Sequence, residues 1–291
     1  MLYTIRFTKA SGAGNDFVIA SGLDQELPHD RSLLARCACN RYFGVGADGL
    51  LVLDASAKAD FRMSYYNADG SHGGMCGNGG RCIARFAFLG KSAPSTMRFE
   101  ALDHIYEAQV TGERVRVHMK DPSAVRPVTG IEAAGLAVDG FLVDTGAPHF
   151  VVFRDDLDTL DVETIGRALR HHDAFKPSGT NANFVTVTGG DSIRLRTYER
   201  GVERETLACG TGSIASTVVA IEQGHVHSPV RIRVRSGEDL TVSASRQGGA
   251  FREIFLEGSA HMLFSGAFVY DEEQGTMRLA QNSNTLARES R

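Results

Sequence analysis

From its first residues the chain alternates: in Met1-Leu2-Tyr3-Thr4-Ile5-Arg6-Phe7 apolar and polar side chains take turns, the period of a half-buried strand. Short β-branched runs predict further strands at Val115–His118, Phe141–Val143, Phe150–Phe153, Phe184–Val187, Ile193–Thr197 and Val230–Val234. Two helices are expected from Asp30 to Cys39 and from Asp161 to Arg170, each opened by an acidic capping residue. Two more, Cys82–Leu89 and Ile214–Ile221, are too apolar for a surface position. Each is expected to lie wrapped inside its own sheet, giving an α+β protein. Pro122 and Pro127 interrupt the strand pattern at Lys120–Pro127 and mark a join. Alternation fades after Tyr270, and Gln281–Arg291 has no apolar face to bury, predicting a frayed or disordered end.

The pattern is written twice. Met75-Cys76-Gly77-Asn78-Gly79 returns as Ala208-Cys209-Gly210-Thr211-Gly212, an offset of 133 residues. That offset also carries Asp16-Phe17-Val18 onto His149-Phe150-Val151 and Gly46-Ala47-Asp48 onto Gly179-Thr180-Asn181. Ahead of the cysteines it slips to 132, with Tyr66-Asn67 on Tyr198-Glu199, so the second copy has one extra residue there.

Charge and composition narrow the function. Thirty-one basic against 35 acidic residues leave a net charge of −4, without the basic footprint of a nucleic-acid binder. No apolar run approaches the roughly 20 residues that cross a membrane. The N-terminus does not read as a signal peptide. An odd cysteine count, five, speaks against a disulfide framework and for a reducing, cytoplasmic setting. Cys37, Cys39 and Cys82 read as small packing residues. Cys37-Ala38-Cys39 and His225-Val226-His227 lack the partner pairs of a zinc site, so no metal is expected. Gly12-Ala13-Gly14 lacks the rest of a dinucleotide fingerprint.

Cys76 and Cys209 differ from the other three thiols. Each stands at a glycine turn running into a helix, where unpaired amides point outward and favour an anion. The helix end should lower each thiol's pKa, though only by about 0.3–2 kcal/mol. Two such turns in matching copies predict a pair facing one substrate across a cleft.

At these residues the chain resembles the diaminopimelate epimerase family. The likeness rests on Gly12-Ala13-Gly14-Asn15-Asp16-Phe17, Asn67-Ala68-Asp69-Gly70-Ser71, Met75 to Cys82, Tyr198-Glu199-Arg200-Gly201 and Glu205 to Gly212. It implies two pseudo-symmetric domains, each a sheet rolled around a central helix. Residues 1–120 plus about 262–277 would form one, residues 121–261 the other, and 278–291 a polar tail. It also implies cofactor-independent inversion at an amino-acid α-carbon, LL- to meso-diaminopimelate, with Cys76 and Cys209 as acid and base. The amides of Gly77, Asn78, Gly210 and Thr211 would hold the α-carboxylate. Asn15, Asn67, Asn181, Glu199 and Arg200 would grip the far end of the substrate, and His149 and Glu199 would bias the thiols' protonation. The family is usually homodimeric.

Three departures concern the grip. Ala147 stands in Gly146-Ala147-Pro148-His149 where the family often has Asn, Gly49 stands where some members have Gln, and the loop between Glu199 and Cys209 holds one residue more than the commonest pattern. A racemase or epimerase for another amino acid is therefore the competing expectation. A non-catalytic binding protein and a thiol redox protein are the alternatives from other classes. Against the first stand both intact cysteines, and against the second the lack of a resolving cysteine beside either turn.

Overall fold

Residues 1–279 are described by the structure, a computed structural model. Chain order in the first half is β1 (Leu2–Gly12), β2 (Asn15–Ser21), α1 (Arg31–Cys39), β3 (Gly49–Asp54), β4 (Phe61–Asn67), α2 (Gly77–Leu89), β5 (Thr96–Ala101), β6 (His104–Thr111) and β7 (Arg114–His118). The second half has β8 (Arg126–Ala133), β9 (Leu136–Asp144), β10 (Pro148–Phe153), α3 (Val162–Arg170), β11 (Asn181–Gly189) and β12 (Ser192–Glu199). It continues with β13 (Arg204–Thr206), α4 (Gly210–Glu222), β14 (Val230–Arg233), β15 (Asp239–Gln247) and β16 (Ala250–Ser259), before β17 (His261–Asp271) and β18 (Thr276–Leu279). Pro127, expected to break a strand, sits near the start of β8.

The middles of β2 (Phe17–Ala20) and β3 (Leu50–Leu53) are unbroken apolar runs because both faces are covered. Phe17 and Ile19 of β2 and Leu51 and Leu53 of β3 pack inward with Ile83 and Ala87 of α2. Val18, Ala20, Leu50 and Val52 face outward, onto Leu34, Ala35 and Ala38 of α1. In the second half Val151 and Val185 meet Ile214 and Val218 of α4, while Phe150, Val152 and Phe184 meet Ile165 and Leu169 of α3. The outer helices are capped as predicted: Asp30 accepts from Leu33 N at 2.8 Å and Asp161 from Thr164 N at 3.0 Å.

The two sheets form one hydrogen-bonded ladder. Strand β7 runs antiparallel to β16, from His118 opposite Phe255 to Arg114 opposite Ser259. Strand β17 crosses back and pairs with β1 from Leu2 opposite Asp271 to Ser11 opposite His261. Strand β18 then folds onto β17 around a turn in which Asp271 Oδ1 accepts from Glu273 N and Gln274 N. Residues 278 and 279 are thus strand rather than the start of a polar tail, and Gln281–Arg291 lies outside the described residues.

Side-chain facing corrects the register of the repeat. An offset of 133 would pair inward Phe17 with outward Phe150. An offset of 132 pairs Gly14 (φ +90°) with Gly146 (φ +101°), both in the left-handed region that favours glycine. It also carries the Phe17–Gly49 pairing onto His149–Asn181 and keeps inward residues inward. Hence Phe17 corresponds to His149, Leu51 to Asn183 and Tyr65 to Thr197. The offset becomes 133 only beyond the extra residue before Cys209, where α2 and α4 match at thirteen residues each.

Candidate active site

Both helices begin earlier than their apolar runs, because the glycines after each cysteine supply the first turn. Cys76 caps α2 with φ −105° and ψ 117°, and Cys209 caps α4 with φ −119° and ψ 113°. Cys76 Sγ accepts from Gly79 N at 3.4 Å, while Cys209 Sγ lies 3.5 Å from Thr211 Oγ1. The helices meet start to start. A Cβ on Gly77 would lie 3.8 Å from Gly210 Cα and 2.8 Å from Leu256 Cδ2, so a side chain there would have to push Leu256 aside. Two positive helix ends, with first-turn amides that have no partner within the helix, converge on one cleft of about 900 Å³.

That cleft is lined by Cys76, Cys209, Gly77, Asn78, Gly210, Thr211, Asn15, Asn67, Glu199 and Arg200. Asn15 is held by its amide nitrogen, which donates to Asp48 Oδ2, leaving Oδ1 3.7 Å from Cys76 Sγ. Asn78 Nδ2 reaches Ala208 O at 3.4 Å, tying one cysteine turn to the other. Its Oδ1 accepts at 2.9 Å from Arg81, a fully buried guanidinium. Glu199 Oε2 accepts from Thr206 Oγ1 at 3.0 Å. Asn67 donates to Ser71 Oγ at 2.9 Å, the bond of a turn residue at the rim.

Two expected residues stand apart from the main cleft. Asn181 is buried, with Nδ2 on Pro148 O at 2.9 Å and Oδ1 accepting from Arg200 N at 2.8 Å. It borders a smaller adjoining cavity of about 310 Å³, together with Arg200, Ala147 and Lys120. His149 is fully buried and lines neither space. Its Nδ1 meets Asn183 Nδ2 at 3.1 Å. Burial drives its pKa down to about 3, so the ring is neutral.

The expected fall in the thiols' pKa does not occur. Burial raises Cys76 above the usual thiol value, and the Glu199 charge adds to this; the Gly79 and Asn78 amides pull the other way. Cys209 is raised too, again by burial first and Glu199 second. Desolvation outweighs the helix-end field, so the resting site favours two protonated thiols. Glu199 itself is raised by burial. Cys39 and Cys82, packed in the cores, are both pushed up to about 12 by burial. Among the described residues no group of three or more His, Cys, Asp or Glu is placed to hold a metal ion.

Sequence reasoning passed over three residues. Tyr65 lines the cleft, and Asp48 orients Asn15 while bonded to Arg41 at 2.8 Å. Asn183 is buried beside the Cys209 turn. Its signal was an inward polar position in Asn181-Ala182-Asn183, just before the apolar run taken as the strand.

The sequence model of the family described as "Diaminopimelate epimerase" matches residues 7–125 and 141–263. The chain belongs to the diaminopimelate epimerase family. It is 46% identical over 262 residues to the diaminopimelate epimerase of Chlorobaculum tepidum, covering 88% of this chain and 98% of that one. Against the enzyme of Aquifex aeolicus identity is 40% over 274 residues, with 90% and 97% covered. A Bacillus anthracis phenazine biosynthesis protein of the PhzF family shares the fold at a TM-score of 0.73 and 15% identity, covering 91% of this chain and 98% of that one.

Two of the positions singled out above have distinct structural surroundings. A Cβ on Gly49 would come within 2.4 Å of Tyr65 Cε2, so the tyrosine ring occupies the space a Gln would need. The segment between Glu199 and Cys209 contains β13, which pairs back on β12.

Among the described residues, no helix is long and apolar enough to cross a membrane.

Proposed function

We propose that the chain converts LL-2,6-diaminopimelate to meso-diaminopimelate by a two-base, cofactor-independent step, in the supply of lysine and peptidoglycan precursors. One observation carries this: two cysteines cap two helices that meet start to start in one cleft. A substrate α-carboxylate laid across the amides of Gly77, Asn78, Gly210 and Thr211 would set the α-carbon between the sulfurs. One sulfur, as thiolate, takes the α-proton, while the opposite thiol gives its proton to the other face. The thiols thereby exchange protonation states, and the configuration inverts. Carbanion charge is spread onto a carboxylate held by two helix ends.

Two raised thiols need an acceptor before the first proton can leave. Glu199, which lines the same cleft as both thiols and whose pKa is itself raised by burial, is suited to take and return that proton. Arg200, with Asn181 on its backbone, borders both cavities and is suited to a distal carboxylate. The five unpaired thiols fit a reducing compartment, and we assign the reaction to the cytoplasm. Leu263 and Phe264, more than half exposed on β17, support a homodimer formed through the first half.

Chiral product analysis with LL-diaminopimelate in deuterium oxide tests the mechanism. Wild type should incorporate deuterium at the inverted carbon. Cys76→Ala and Cys209→Ala should each lose about 10²–10⁴-fold in turnover. Near-normal activity in either variant would overturn the two-base step. A panel of other amino acids decides whether the altered grip around Ala147 has changed the substrate.

A further inference from the structure

Corresponding positions of the two halves carry different chemistry directly beneath the cysteine turns. Under α2 stand Phe17, Leu51 and Tyr65, with the two rings edge to face at 6.0 Å. The point where a Cβ on Gly79 would sit is 3.2 Å from Leu51 Cδ2 and 3.5 Å from Cys76 Cβ. Under α4 the matching residues are His149, Asn183 and Thr197, all buried. The matching point on Gly212 is 2.5 Å from Asn183 Oδ1 and 3.3 Å from Cys209 Sγ. Asn183 therefore takes the place beside Cys209 that Leu51 takes beside Cys76.

The hydrogen bonds of this polar triad allow one arrangement of its protons. Asn183 Nδ2 donates to Phe150 O at 3.2 Å, and a backbone carbonyl can only accept, which fixes which end of the amide is nitrogen. Thr197 Oγ1 donates to the other end, Asn183 Oδ1, at 3.0 Å. Facing an amide nitrogen at 3.1 Å, His149 Nδ1 must be the acceptor. The single hydrogen of the neutral ring then sits on Nε2, which is buried and has no protein partner. The second half thus buries a ring N–H donor at this position. Phe17, in the same place under α2, has none to offer.

We infer that Asn183 is a positioning residue: it fixes His149 with its hydrogen at Nε2 beneath the α4 terminus and so makes Cys209 chemically unlike Cys76. This rests on the two-base function proposed above, in which an enzyme with two distinct faces needs its thiols to differ at rest. Other groups also differ between the thiols: Arg81, Tyr65 and Asn15 face Cys76, Thr211 Oγ1 faces Cys209 at 3.5 Å, Glu199 acts on both, and Arg200 reaches His149. Asn183→Leu leaves all of these in place and changes only the polar support under α4.

The test is Asn183→Leu, which copies Leu51, alongside the smaller change Thr197→Val. Iodoacetamide labelling of each cysteine is followed against pH by peptide mapping, which needs no substrate. Asn183→Leu should slow labelling of Cys209 at a fixed pH by about fivefold, a shift of under one pKa unit. Cys76 should stay within about twofold by the same measure. Thr197→Val, which unpins one end of the amide, should shift Cys209 in the same direction but less. With diaminopimelate, kcat should fall about tenfold in Asn183→Leu with KM little changed. Labelling profiles that do not move, or that move together for both cysteines, would overturn the inference. A selective Cys209 shift in a protein that fails to epimerise diaminopimelate would instead overturn the substrate assignment and leave the positioning role standing.

Discussion

Gly79 and Gly212 occupy matching places in the first turns of α2 and α4, yet a methyl group should be tolerated at one and not the other. In Gly79→Ala the new Cβ would be 3.2 Å from Leu51 Cδ2, the tip of a flexible side chain that can yield by a few tenths of an ångström. Alanine also favours the helix over glycine by up to about 1 kcal/mol, so the net change should be near zero. In Gly212→Ala the Cβ would be 2.5 Å from Asn183 Oδ1, an atom pinned by Thr197, and 3.3 Å from both Cβ and Sγ of Cys209. Neither neighbour can give way without breaking the triad or turning the thiol. Overpacking of this kind costs about 1–3 kcal/mol. At this chain length that is a fall of about 2–12 °C in Tm. Displacing Cys209 by a fraction of an ångström up to about 1 Å should cost as much as 10²-fold in kcat. Calorimetry and epimerase assays on both variants make the comparison. If Gly212→Ala is as stable and active as Gly79→Ala, the rigid polar support under Cys209 is wrong.

Two further outcomes follow from charge and burial. Glu199→Gln removes the negative charge that raises both thiols, so iodoacetamide labelling of Cys76 and Cys209 should move to lower pH while epimerisation falls; labelling that moves to higher pH would contradict this. His149, at about 3 in the folded protein against 6.5 when exposed, contributes stability that is present above 6.5 and lost as pH falls toward 3. His149→Phe, the residue of the first half, should therefore flatten the acid limb of a urea-stability profile; an unchanged acid limb would rule out neutral burial of the ring.

The sequence made the chemistry-bearing turns legible because their signal is local. A cysteine followed by glycines and an apolar helix needs no tertiary knowledge to recognise, and α2 and α4 begin right after Cys76 and Cys209. The capping aspartates of α1 and α3 were visible for the same reason. Facing was harder to read. In strands covered on both sides, Phe17 and Val18 are equally apolar, so a short motif match could slip by one residue unnoticed. The same blindness hid Asn183 and Thr197, whose importance comes from the side they face. The thiols' pKa was misjudged because a helix end is written in the sequence and desolvation is not.

Strand β17 also imposes an order on biosynthesis. Its partner β1 leaves the ribosome first, yet the residues that cover β1 along its length begin at His261. At about 5–20 residues per second, β1 waits roughly 10–50 seconds with its outer edge bare. During that interval Ile5 and Phe7, buried in the finished protein, have no companion strand. The half that is made first is thus the half that is completed last, and a nascent-chain chaperone has a defined edge to shield until the last strands arrive.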